Sequence, residues 1–342
     1  MRRILRGLLF FGGIILSVFA FGQALEKTDP VQSLAALAKA QGSVVAVRAT
    51  SIEGAASIQT LGRQREGSGV VIGKDGLILT IGYLILESDQ IQVTTQFQKV
   101  YPAKFVGFDA ASGLGLLQTL TPLQDVEMAM LGSSLAIKPG DRLMAASGGE
   151  VFTLRAAELV DQRPFVGYWE YQLDAALYTS PPLPNHSGAG LFNDKGELLG
   201  IGSLFMRNVM SPDMNNLSLP GNMFVPTQAI SSHLTELIER GSVYKNKRPW
   251  LGLSSQELNG RIQIIRVSPN SPAQQAGIKA GDLILGVNGM DVSDLAAFYK
   301  KLWAHSPWDA PIRLNVLQGA RLNELTLPAV DRLDTLIKPP GV

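Results

Sequence analysis

Three histidines, His186, His233 and His305, are the entire imidazole supply of this 342-residue chain, which has no cysteine. Imidazole is the side chain that most readily takes and returns a proton near neutral pH, so this count limits acid–base chemistry. The lack of thiols excludes disulfides, thiolate metal sites, iron–sulfur ligation and a cysteine nucleophile. His186 adjoins Ser187, and neighbouring side chains on an extended or tight turn point apart. It therefore reads as a solvated or turn-packing residue. His233 reads as a surface or packing residue on a helix. His305 ends a helix, where a cation suits the dipole. No carboxylate–histidine group has metal-ligand spacing, so no metal and no other cofactor is expected. Gly67-x-Gly69 precedes a strand instead of joining a strand to a helix, which excludes a dinucleotide loop.

Several elements must position whatever chemistry remains. The chain is 46% hydrophobic and 17% charged, a globular composition, and its length corresponds to about two domains. A net charge of +1 gives no electrostatic case for nucleic acid. Arg2, Arg3 and Arg6 precede nineteen uncharged residues, Gly7–Leu25. That is the pattern of a signal peptide, or of an uncleaved N-terminal membrane anchor, over residues 1–24. Either reading sends the rest of the chain to the periplasm or cell envelope, with the membrane touched only through this segment. Asp29-Pro30 opens a short helical segment (25–42) that Gly42 closes. From Ser43 the hydrophobic period changes to two. Short strands then recur every ~8–12 residues, a pattern of sandwiches or barrels. Among them are Val44–Val47, the hairpin around Gly73-Lys74-Asp75-Gly76, Leu114–Leu117, Ala156–Val160, Tyr171–Leu173 and Leu198–Leu204. A helix over Thr227–Arg240 ends this first unit (43–243), and a basic linker (244–249) follows. Arg63, Arg65, Lys245, Lys247 and Arg248 read as a solvated face. The second unit (250–330) has strands at Ile262–Val267, Asp282–Gly289, Ile312–Val316 and Leu325–Leu327, with helices at Ser271–Gly277 and Asp294–Trp303. Residues 331–342 read as a tail.

Three stretches of the first unit resemble the HtrA (Deg) family of trypsin-like envelope proteases. They are Gly67-Ser68-Gly69-Val70-Val71-Ile72 through Thr80, Pro102-Ala103-Lys104-Phe105-Val106-Gly107 through Leu117, and Asn185-His186-Ser187-Gly188-Ala189-Gly190 through Ile201. The second unit resembles one PDZ domain of the circularly permuted bacterial type, above all at Ser268-Pro269-Asn270-Ser271-Pro272-Ala273 and Ala276-Gly277-Ile278-Lys279-Ala280-Gly281-Asp282. The fold class this implies is mainly β: a trypsin-like double six-stranded β-barrel followed by a small α+β PDZ domain.

The resemblance assigns roles residue by residue, and the chain departs from them at two positions. A serine protease needs a hydroxyl nucleophile, an imidazole base, a carboxylate that orients the imidazole, and a backbone oxyanion hole. Ser187 holds the nucleophile position. The family's base ends a Thr-x-x-His run; here that run is Thr80-Ile81-Gly82-Tyr83, so Tyr83 replaces histidine. The family's acid precedes a Leu-x-Leu-Leu strand, and Gly113 stands there. Asp109 lies nearby, but an acid with no base to orient does nothing. The oxyanion hole falls to the amides of Asn185 and Ser187, with Asn185 where the family has glycine. Asn tolerates left-handed backbone, which would preserve that loop. Tyrosine is a poor base, with an ordinary pKa of ~10. The residues thus imply an inactive protease homologue, the alternative being an active endopeptidase in which an unforeseen group deprotonates Ser187.

The PDZ resemblance implies a second site, which adds a peptide strand to a sheet edge and holds its terminal carboxylate on backbone N–H groups. Trp250-Leu251-Gly252-Leu253 is the carboxylate loop on this reading. Leu251 and Leu253, with Leu295 or Phe298 opposite, line a pocket for an apolar C-terminal side chain. The partners implied are C-terminal or unfolded peptides. Family trimers form through N-terminal residues, here Val31–Leu37, and pairing with an active paralogue is the other association left open.

Overall fold

A computed structural model describes residues 30–211, 218–304 and 307–337. The leader (1–24), Asp29, His305 and the last five residues lie outside the described residues. Helix α1 (Pro30–Gly42) leads into strand β1 (Val44–Ser51). The first barrel continues with β2 (Gln64–Val71), β3 (Leu77–Ile81), β4 (Ser88–Thr94), β5 (Val100–Phe108) and β6 (Leu114–Thr119), and the short helix α2 (Ile58–Leu61) lies between β1 and β2. These six strands close in the order β1-β2-β3-β6-β5-β4. All five residues of β3 are buried, because one face fills the barrel and the other packs toward the second barrel.

The second barrel holds β7 (Met130–Leu131), β8 (Arg142–Ser147), β9 (Thr153–Gly167), β10 (Tyr171–Ser180), β11 (Gly190–Phe192), β12 (Glu197–Met206) and β13 (Gly221–Pro226). Its sheet runs β11-β8-β9-β10-β13-β12, closed by β11–β12 pairing, and β7 joins β12 in parallel. Two six-stranded closed sheets are therefore present, with one short edge strand added. The helix expected over Thr227–Arg240 is two pieces, α3 (Gln228–Ser231) and α4 (Leu234–Arg240), with His233 as the N-cap residue of the second.

The PDZ unit contains β14 (Pro249–Trp250), β15 (Leu253–Leu258), β16 (Arg261–Val267), α5 (Pro272–Gln275), β17 (Leu283–Val287), β18 (Met290–Asp291), α6 (Leu295–Trp303), β19 (Ile312–Gln318), β20 (Arg321–Leu327) and β21 (Val330–Asp331). Asp294 caps α6 by accepting the Ala297 N–H at 2.7 Å. Helix α6 closes one face of the β15–β20 sheet with Phe298, Tyr299 and Leu302 fully buried.

Two further sequence expectations fail here. Residues 331–337 are not a loose tail: β21 pairs with β14, a helical turn covers Arg332–Thr335, and the Ile337 N–H donates to Glu87 Oε1 at 3.0 Å. The basic residues are not one solvated face. Arg65 is buried and donates to the carbonyls of Gly62, Tyr83 and Leu86 and to Ser57 Oγ. Lys247 pairs with Asp331 at 3.1 Å, and the Arg248 guanidinium lies 4.4 Å from the ring centre of Trp303. Guanidinium groups satisfy freed carbonyls and stack on aromatic rings, so charge alone does not place them in water.

Candidate active site and peptide groove

Ser187 lies where the two barrels meet. Its carbonyl accepts the Ser68 N–H at 2.8 Å, which ties the loop before β11 to β2. Gly188 follows with φ +75°, and a Cβ there would fall 1.9 Å from the Ser68 carbonyl oxygen. Only glycine fits this left-handed position against another strand's backbone.

Tyr83 occupies a 3₁₀ turn (Gly82–Leu84) directly after β3, and its hydroxyl reaches Ser187 Oγ at 2.8 Å and the Ser203 carbonyl at 2.7 Å. Ser203 is the extra residue at a bulge in β12, between Gly202 and Leu204, which turns its carbonyl out of the ladder. A carbonyl can only accept, so the single phenolic proton goes to Ser203. Ser187 must then donate to the Tyr83 oxygen. The serine proton thus points at a neutral phenol. Burial pushes Tyr83 up to about 12, the hydrogen bond to Ser187 opposing only in part. At neutral pH, on the order of one molecule in 10⁵ carries the phenolate a base would need.

Gly113, which the resemblance assigns to the acid position, has φ +76°, and its carbonyl accepts the Gly82 N–H at 2.8 Å. A Cβ at Gly113 would meet the Tyr171 hydroxyl at 3.2 Å, so an aromatic side chain fills the space beside it. Tyr171 donates to the Ser112 carbonyl. Asp109 is buried and spent on structure, accepting the Ser112 N–H at 2.9 Å and the Asn246 side-chain amide at 3.0 Å. His186 turns its Nδ1 to the Pro184 carbonyl at 3.0 Å, and burial holds its pKa below the usual histidine range. Asn185 is exposed, and the left-handed backbone anticipated there is not used. Among the described residues, neither the Asn185 nor the Ser187 N–H donates to another group of the chain.

In the second site, Leu251, Leu253, Leu295 and Phe298 share one buried cluster, and Trp250 is half-buried where β14 meets β21. The loop amides are engaged. Glu170, at the tip of the β9–β10 hairpin, accepts the N–H groups of Leu251 at 2.9 Å, Gly252 at 2.8 Å and Leu253 at 2.9 Å.

Residues 67–201 match the model of the trypsin-like peptidase domain, and residues 249–328 match that of the PDZ domain. A probable periplasmic serine endoprotease, DegP-like, of a Marinomonas species is 30% identical over 254 residues, covering 68% of this chain and 50% of the relative. The periplasmic serine endoprotease DegP of Escherichia coli is 29% identical over 251 residues, with the same coverage of 68% and 50%. The chain belongs to the HtrA (Deg) family. It spans about half the length of the curated relatives it matches. Among solved structures, the HtrA-type protease AlgW with decapeptide covers 90% of this chain at TM-score 0.55 and 20% identity, and 99% of that chain is covered. The serine endoprotease from Yersinia pestis covers 89% at TM-score 0.53 and 23% identity, again with 99% of that chain covered. These likenesses carry the HtrA fold.

The fold brings Tyr83 and Ser187 together, with Gly113 one backbone hydrogen bond away. It keeps Asp109, His186 and His233 out of that group. Sequence reading missed Ser203, Tyr171, Tyr299 and Glu170. Ser203 is visible only through the bulge. Glu170 stood in plain view after Tyr168-Trp169, between two strand patterns, but nothing in a glutamate signals a partner 82 residues onward.

Proposed function

We propose that this HtrA-type chain is a pseudoprotease of the periplasm or cell envelope, a double barrel kept as a scaffold and joined to a peptide-binding PDZ domain. The observation that carries the reading is the Tyr83 hydroxyl in the imidazole's place, its proton committed to Ser203 and its oxygen 2.8 Å from Ser187 Oγ. Loss of the base or the nucleophile in a comparable triad removes about a million-fold of kcat. Names of relatives as periplasmic endoproteases, with the leader pattern, support the location. The scaffold's partners are C-terminal or unfolded peptides. Other HtrA-type chains join them on this reading, through α1, where Leu34 is exposed.

The opposing reading takes the endoprotease names of those relatives as the activity of this chain, with Ser187 activated by some other group. Cleavage of unfolded casein by the purified chain, beside Ser187→Ala, decides between them. The expected result is that both stay at background. Ser187-dependent cleavage overturns the pseudoprotease.

A further inference from the structure

The tip of the β9–β10 hairpin sits in the PDZ groove as a bound peptide would. Gly167 pairs with Tyr171, leaving a three-residue loop, Tyr168-Trp169-Glu170. Such loops place their last residue in left-handed backbone, normally glycine or asparagine. Here it is Glu170, at φ +54°. A side chain at this strained position needs compensation from its surroundings. It receives three hydrogen bonds from consecutive amides of the carboxylate loop, each 2.8–2.9 Å. The Tyr168 carbonyl accepts the Ser255 N–H of β15 at 2.7 Å, the main-chain bond by which an added strand joins a sheet edge. From α6, the Tyr299 hydroxyl donates to the Gly167 carbonyl and accepts the Glu170 N–H, both at 3.0 Å, closing the loop from inside. Val166 packs on the PDZ core. Carboxylate loop, strand edge and opposing helix are therefore each engaged by the β9–β10 hairpin of the barrel.

We propose that Glu170 is a built-in ligand of the PDZ carboxylate loop, a latch that a peptide with a free C-terminal carboxylate must displace before it binds. The inference rests on the PDZ half of the proposed function and is independent of whether Ser187 is active. A tethered ligand acts by reducing the fraction of open groove. If nine-tenths of molecules are latched, apparent peptide affinity falls about ten-fold.

Amide hydrogen exchange on the purified full chain reads the latch directly. Leu251, Gly252 and Leu253 are expected to exchange slowly in the wild type and at least ten-fold faster in Glu170→Ala, with amides of β1 and β12 unchanged. Glu170→Asp keeps the charge but is one methylene short, and it is expected to give intermediate protection; it serves the same purpose if the alanine variant does not fold. A fluorescein-labelled decapeptide pool, randomised except for a C-terminal valine, is expected to bind Glu170→Ala at least ten-fold more tightly than wild type, and the amidated pool should show no such gain. Fast exchange of the three amides in the wild type, or exchange unmoved by both substitutions, overturns the latch. Equal binding of the free-carboxylate pool to wild type and Glu170→Ala overturns it too. Because neither readout involves casein, failure here and failure of the pseudoprotease reading are told apart.

Discussion

A phenol in hydrogen-bond contact with Ser187 handles the serine proton differently from an imidazole. Imidazole accepts the serine proton and keeps it; the Tyr83 oxygen accepts a hydrogen bond but cannot hold the proton. Restoring histidine alone gives a base with nothing to orient it. Restoring the acid meets backbone and steric barriers together, since Gly113 is left-handed and Tyr171 stands 3.2 Å from the new Cβ. We therefore predict that Gly113→Asp destabilises the protein by about 1–3 kcal/mol, the range for a non-glycine residue forced into sparse backbone space. Urea unfolding measures this. The same substitution added to Tyr83→His is expected to leave casein cleavage at the level of Tyr83→His alone. Recovery of activity by the pair, beyond the single variant, would show that the acid pocket survives.

At the scale of elements, the Glu170 hairpin also carries a dependence on pH. Burial pushes the Glu170 carboxyl up to about 7, against the pull of the three amides and of Arg332. Tyr299 from α6 and Arg332 from the turn after β21 are the ionisable groups that face it. An ordinary glutamate titrates at ~4.3. A raised pKa in the closed form means that protonation favours closure. That contribution is complete below pH ~4.3 and is lost as pH rises through about 7. Binding of the valine-terminated pool to wild type is thus expected to strengthen between pH 5.5 and 8, and this dependence should vanish in Glu170→Gln. A flat wild-type profile would contradict a raised Glu170 pKa in the closed form. This element also marks where sequence reading stops. Short apolar runs located β1, β3, β6 and β16 because each strand buries its own residues locally. Family spacing located Ser187, Tyr83 and Gly113 because each sits at a fixed offset from such a strand. The latch has no local signature: a glutamate at a hairpin tip looks solvated until a second domain presents three amides to it. Arg65 and Arg248 have no local signature either: the partners of Arg65 are carbonyls in neighbouring turns, and that of Arg248 is a tryptophan ring of the PDZ unit.

For the whole molecule, the two units are joined, besides the hairpin, by contacts of the linker itself and by one beyond it. Asn246 bonds Asp109, Lys247 pairs with Asp331, and Glu87 of the first barrel holds the Ile337 N–H beyond the PDZ sheet. Within this frame a continuous series of contacts leads from groove to serine. Glu170 fills the carboxylate loop; its neighbour Tyr171 bonds the Ser112 carbonyl; Gly113 accepts the Gly82 N–H; and Tyr83 follows, on Ser187. Contiguity alone does not establish coupling, which requires that a change at one end alter the energetics at the other. Distant sites without shared partners add within about 0.3–0.5 kcal/mol. A double-mutant cycle of Glu170→Ala and Tyr83→Phe, read by urea unfolding, is expected to depart from additivity by more than that, because releasing the hairpin loosens Tyr171 and with it the turn that carries Tyr83. Additive effects would mean that the groove can open and close without any consequence at Ser187, leaving the barrel a passive support for the PDZ domain. A non-additive cycle would mean that a change in the peptide groove is felt energetically at the turn that carries Tyr83 beside Ser187.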